Sequence, residues 1–169
     1  MQNMLKKMLS KDEYYMSIAL EEAKKAYELE EVPVGCVIVY QDKIIARSHN
    51  TRHKTKSVFD HAELIAIKKA SKKINSWILE DCEMYVTLEP CLMCASTIIQ
   101  SRIKRIIYAA NEPKFGALGS ITDLSVLPLN HHIVVTKGVL SVESANLLKS
   151  FFKELREKKL VPNLTNDNK

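Results

Sequence analysis

Apolar positions near the start of the chain repeat at helical spacing: Met16, Leu20, Ala23 and Tyr27 fall on one face. Ser10-Lys11-Asp12-Glu13 has the spacing of a capping box and predicts the start of that helix. The pattern then changes. Residues 34–40 and 43–48 read as two strands, and the polar pair Gln41-Asp42 between them reads as a hairpin turn. Leu64, Ile65 and Ile67 belong to a helix beginning near His61, and residues 83–88 to a strand. Pro90 suits the first turn of a helix, where its missing N–H costs nothing. That helix carries Cys91, Cys94, Ala95 and Ile98. Residues 103–109 and 133–136 give two more strands, the last one short, and Ala145, Leu148, Phe152 and Leu155 line a final helix. Helices alternating with strands favour an α/β fold, a mixed sheet covered on both faces.

No internal repeat, linker or composition break divides the chain. Residues 1–162 are expected to form one domain, and 163–169 a polar tail. At 169 residues there is enough chain for a proper core, and 46% hydrophobic with 27% charged residues is ordinary for a globular protein. No apolar run approaches the ~20 residues of a membrane span. Residues 1–11 contain lysines but no apolar segment or cleavage site, so a secretory signal is not expected and the cytoplasm is. The net charge of +5 permits an anionic partner without demonstrating one.

Four cysteines in a chain of this kind point to metal or catalysis before disulfides. Cys91 and Cys94, three apart near a helix start, face the same way. The positive end of the helix favours the thiolates that zinc binds. His61, at the start of the other helix, adds a neutral imidazole. Two sulfurs and one nitrogen suit zinc better than magnesium or calcium. Three protein ligands leave the fourth tetrahedral position open for a water made acidic by the metal, the catalytic rather than the structural pattern. Glu63 lies within reach of that water without being a ligand. Simpler readings stand beside these. Cys-x-x-Cys can be redox-active, and Asp60-His61-Ala62-Glu63 has capping-box spacing. Cys36, Cys82 or His53 could close the site as a fourth ligand.

His61-Ala62-Glu63 followed by Pro90-Cys91-Leu92-Met93-Cys94 is the signature of zinc deaminases acting on bases. At these residues the chain resembles the cytidine and deoxycytidylate deaminase superfamily. The flanking segments resemble its bacterial tRNA-specific adenosine deaminase branch: Glu31-Val32-Pro33-Val34-Gly35, Asn50, Val86-Thr87-Leu88-Glu89, Ser101-Arg102-Ile103, Gly116 with Gly119-Ser120, and Phe151-Phe152. The likeness covers residues 12–159. It implies a three-layer α/β/α sandwich with a mixed five-stranded sheet, one Zn2+ per chain, a homodimer, and hydrolysis of the wobble adenosine of tRNA to inosine. It implies that Asn50 and the backbone of Ala62 hold the flipped base. It also implies that the 111–116 loop, with Glu112 and Lys114, and the last helix, with Phe151, Lys153 and Arg156, hold neighbouring nucleotides. Three positions depart from the family pattern. Asp60 replaces a small residue before the histidine, Glu112 an aspartate near the ribose, and Phe115 a small or polar loop residue.

Outside the pocket, Arg52, Lys54 and Lys56 form one basic cluster and Lys149, Lys153, Arg156, Lys158 and Lys159 another. Both suit phosphate. A solvated face is the competing reading, because Glu154 and Glu157 stand as i,i+4 partners of Lys158 and Lys153. Adjacent Phe151 and Phe152 point ~100° apart. Phe152 fits the apolar stripe, which leaves Phe151 for a base or a dimer contact. Trp77 and Tyr85 read as structural, and Cys36 and Cys82 as small hydrophobes. A free-base or nucleoside deaminase would keep the zinc site without needing the basic helix. A non-catalytic zinc-stabilised RNA-binding module would not need Glu63.

Overall fold

The computed structural model describes residues 9–160. The capping box is formed. Glu13 N–H donates to Ser10 Oγ at 3.2 Å and Ser10 N–H to Glu13 Oε2 at 2.8 Å, opening α1 (Lys11–Glu28). Then come β1 (Gly35–Tyr40), β2 (Lys43–His49), a short α2 (Arg52–Thr55) and α3 (Ala62–Ile74). The chain continues through β3 (Cys82–Leu88), α4 (Leu92–Gln100) and β4 (Arg105–Ala110). A long connection holding one 3-10 turn, Leu124–Val126, leads to β5 (Val134–Lys137) and α5 (Ser141–Leu160).

The strands form one sheet in the order β2-β1-β3-β4-β5. β1 runs antiparallel to β2 and β3, while β3, β4 and β5 are parallel neighbours. A parallel pair needs a crossover, and α4 supplies it between β3 and β4. These two strands are apolar and buried along most of their length, as strands covered on both faces must be. Alternation along β1 shows the layering. Val37 and Val39 pack with Tyr15, Met16 and Ala19 of α1. Cys36 and Ile38 face the other way, with Ala62, Ala66 and Ala70 of α3 and Ala95 and Ile98 of α4. α5 joins the α1 layer, against β3 and β4. Close approach is required at Gly35, where a Cβ would lie 1.9 Å from the Ala19 carbonyl oxygen. At the far end of the sheet Arg105 clamps Asp12 through bonds of 3.0 and 2.6 Å, tying α1 to β4.

The mixed five-stranded α/β sandwich is the one expected, but three local readings are corrected. The inward face of α5 is Ser144, Leu147, Leu148 and Phe151, not Ala145, Leu148, Phe152 and Leu155. Phe151 packs edge-on against Tyr27 of α1, with ring centroids 5.4 Å apart. The apolar residues of α5 are spread widely enough to suit either face, and only the position of α1 chooses. Trp77, read as structural, is 64% exposed in the turn after α3. α2 was not foreseen, since all four of its residues are exposed and no apolar period marks it. The strand assignments hold, with ends moved by a residue or two. The 163–169 tail lies outside the described residues.

Candidate active site

Two helices begin at one end of the sheet. His61 is the N-cap residue of α3 and Cys91 that of α4, and neither side chain caps its helix. Cys94, three residues on, returns to the same side of α4 as Cys91. His61 Nδ1 lies 3.9 Å from Cys91 Sγ and 3.4 Å from Cys94 Sγ. All three donor atoms fall within 4.8 Å of one another, so they can hold a metal ion. Zinc bonds of ~2.3 Å to sulfur and ~2.0–2.1 Å to nitrogen, at a tetrahedral angle, would leave sulfur and nitrogen roughly 3.6 Å apart. The observed spacings straddle that value, and the soft donor set suits zinc.

Among the described residues no further His, Cys, Asp or Glu joins this cluster. Cys36 and Cys82 are buried in the core, Cys82 at the opposite end of β3 from Cys91, and His53 is exposed on α2. The set is thus an open one. Electrostatically the two thiols differ, and only Cys91 is favoured as a thiolate. The hydrogen bond with Cys94 pulls Cys91 down to about 4, and the same contact pushes Cys94 up.

Glu63 sits in the first turn of α3 at only 4% exposure. It does not complete a capping box with Asp60, because the N-cap residue is His61. Burial pushes the Glu63 carboxyl up to about 7, against the opposing pull of its own backbone N–H and of His61. A carboxyl held there can take and release a proton near neutral pH.

A cavity of about 480 Å³ opens above this floor, within the ~300–1,000 Å³ usual for ligand sites. Asn50, His61, Ala62, Glu63 and Cys91 line it below, and Arg52, Val58, Leu92, Glu112, Phe115 and Phe152 line it nearer the surface. Asn50 is buried. Its Oδ1 accepts from Arg52 N–H and its amide donates to the Val32 carbonyl, both at 3.4 Å, bonds long enough to yield to a ligand. The Ala62 carbonyl is taken by Ser48 Oγ at 2.6 Å. Its N–H is one of the first in α3 and has no acceptor within the helix.

Other sequence-predicted residues do not meet at the cavity wall. Lys114 is exposed in the loop beside Phe115, and Lys153 and Arg156 are exposed on α5 beyond the lining. Phe151 is buried at 7% exposure, so the half of the pair that reaches the cavity is Phe152. Lys158 pairs with Glu30, in the turn after α1. Both basic clusters are exposed.

Two buried glutamates hold the rim together. Their roles were not legible as chemistry in the sequence. Glu89 accepts from the backbone N–H groups of Glu112, Leu118 and Ser120, each at 3.0 Å, and from the Ser120 hydroxyl. Burial works to raise its carboxyl, but these bonds outweigh burial and hold it below the usual carboxylate range. Glu31 accepts from Lys54 N–H at 2.7 Å and so pins α2, while its other oxygen is buried with no partner among the described residues. The sequence marked both only as members of the segments that resemble the family, and Glu89 also as an acidic residue between Leu88 and Pro90.

Fold and site together are those of a deaminase. A family model described as MafB19-like deaminase matches residues 10–156. The tRNA-specific adenosine deaminase of Bacillus subtilis is 43% identical over 152 residues, covering 89% of this chain and 94% of that protein. The Aquifex aeolicus protein of the same name is 42% identical over 144 residues, covering 85% and 95%. A structure from studies of A-to-I editing by tRNA:A34 deaminases at the wobble position superposes with a TM-score of 0.77 at 40% identity, covering 80% of this chain and 99% of that one. The chain belongs to this deaminase family, among the tRNA-specific adenosine deaminases.

Proposed function

We propose that this chain hydrolyses the wobble adenosine of a tRNA anticodon to inosine and ammonia, with one zinc ion held by His61, Cys91 and Cys94 and with Glu63 carrying the protons. The observation that carries the reading is a buried carboxylate set beside, not in, an open three-ligand cluster on the floor of a cavity. Similarity to deaminases of this name over most of the chain supports the substrate. A zinc ion held by these three residues would supply Lewis acidity and make a bound water more acidic. Glu63 takes one proton from the attacking water and delivers it to the ring nitrogen beside the attacked carbon as the remaining hydroxyl adds to that carbon. It then takes the second proton from the added hydroxyl and gives it to the exocyclic amine, so the C–N bond breaks, ammonia departs and the ring carbonyl forms, one carboxylate serving as base and acid in turn.

The base has to leave its stack to reach this floor. Asn50 and the Ala62 N–H then hydrogen-bond its edge. Glu112 lies toward the ribose, while Lys114, Lys153 and Arg156 meet phosphates of the loop, with Phe152 in the role first given to Phe151. The working form is a cytoplasmic homodimer. Among the described residues no helix is long and apolar enough to cross a membrane.

The test is incubation of the purified protein with total tRNA, followed by inosine analysis at the anticodon, beside free adenosine, guanine and cytosine. Inosine confined to the wobble position is the expected result. Turnover of a free base with no inosine in tRNA would replace this reading with free-base deamination.

A further inference from the structure

Phe115 is 67% exposed, yet it lines the cavity that also holds His61, Glu63 and Cys91. It is not an isolated surface hydrophobe. Val58, Leu92 and Phe152, all exposed, line the same cavity. The backbone beneath the ring is fixed from several sides. Gly116 N–H donates to the Glu112 carbonyl at 2.9 Å and Lys114 N–H to Glu112 Oε1 at 2.9 Å. Glu89 grips both flanks of the loop, at Glu112 and at Leu118 and Ser120. Gly116 bridges to Cys91, one of the three candidate metal ligands, and a Cβ at Gly116 would lie 2.5 Å from a Glu89 oxygen. The ring is thus presented to solvent from a scaffold registered against the reacting centre.

We infer that Phe115 is a stacking platform for a base flanking the target adenosine, and so a specificity-determining residue of this chain. The inference rests on the tRNA reading above. Turning the target base into the cavity removes it from the stack, and a neighbouring base loses a partner for one of its faces. A phenyl ring offers that face a replacement, since bases stack on aromatic side chains with little regard to sequence. Because the loop is already ordered, little conformational entropy is lost when the contact forms.

The experiment uses the full-length protein on an anticodon stem-loop, and on the same stem-loop made abasic at the 5′ or the 3′ neighbour of the target. Phe115→Ala should lower kcat/KM by about 10-fold, with zinc content and melting temperature unchanged, because the ring is exposed. Phe115→Tyr, which keeps the aromatic face, should stay within about 2-fold of wild type, and Phe115→Leu should behave as Ala. An abasic neighbour on one side should cost wild type the same 10-fold and cost Phe115→Ala nothing further. Wild-type activity of Phe115→Ala on the intact stem-loop, or losses that multiply with both abasic positions, would overturn the inference alone. A wild-type protein that deaminates free bases and no stem-loop would overturn it together with the substrate reading.

Discussion

Floor and rim of the cavity are built differently. The floor is made by the first turns of two helices, α3 and α4, whose positions are set by packing on the sheet. Its acid, Glu63, is almost wholly buried and held near neutral pH by lack of solvation. The rim is made by loops, α2 and the exposed part of α5, and its side chains face water. Its acid, Glu89, is buried as well, but it is surrounded by donors and stays ionised. Burial therefore does not by itself decide what a carboxylate does. An under-solvated one can move protons, and a fully bonded one can only hold structure. A site can keep its chemistry in regular elements and its selectivity in pinned loops.

The strongest test of this division is removal of a floor ligand. Cys91→Ser or Cys94→Ser should lose zinc and activity together, because an open three-ligand set cannot spare one. Metal analysis beside an ammonia-release assay checks it, and full activity in a metal-free sample would end the floor assignment.

Next in size is Glu63→Gln. It should retain zinc and fold while losing about 10²–10⁴-fold in turnover, the usual contribution of a general acid–base group. Loss of zinc instead would make Glu63 a ligand.

Glu89→Gln should do the reverse: modest loss of turnover, with stability lowered by about 2 kcal/mol, since hydrogen bonds to a charged acceptor are the stronger kind. Its pH dependence follows from the lowered folded pKa. The stabilisation is present above the unfolded-state pKa and is lost as pH falls through the folded one. The variant should therefore show a shallower loss of stability on acidification than wild type. Denaturant melts at pH 7 and pH 4 would reveal it, and identical acid limbs would remove Glu89 from the clamp.

The smallest effect is expected from the outermost cations. Replacing Lys153, Arg156, Lys158 and Lys159 with Ala should raise KM for tRNA several-fold and flatten the salt dependence of binding, leaving zinc unchanged. Lys158, already paired with Glu30, should contribute least. An unaltered salt slope would remove α5 from the rim.

How far the sequence reaches follows the same division. The capping box at Ser10, the strands and the His61/Cys91/Cys94 constellation with Glu63 beside it were readable, because local propensity and fixed spacing place those residues on known faces of short elements. α2 carried no period to read. For Phe151 and Phe152 the local pattern was ambiguous, and the choice went the other way once Tyr27 of α1 stood against Phe151. By itself, then, the sequence determined the elements, a matter of spacing within a turn or two, and marked out the candidate donors and the candidate proton carrier by residue type and motif. Tertiary structure alone decided that two helix starts meet within 4.8 Å and that Glu89 reaches across to the 112–120 loop. It also decided which aromatic rings face the cavity. Those outcomes depend on contacts between residues distant along the chain, and no local period encodes such contacts.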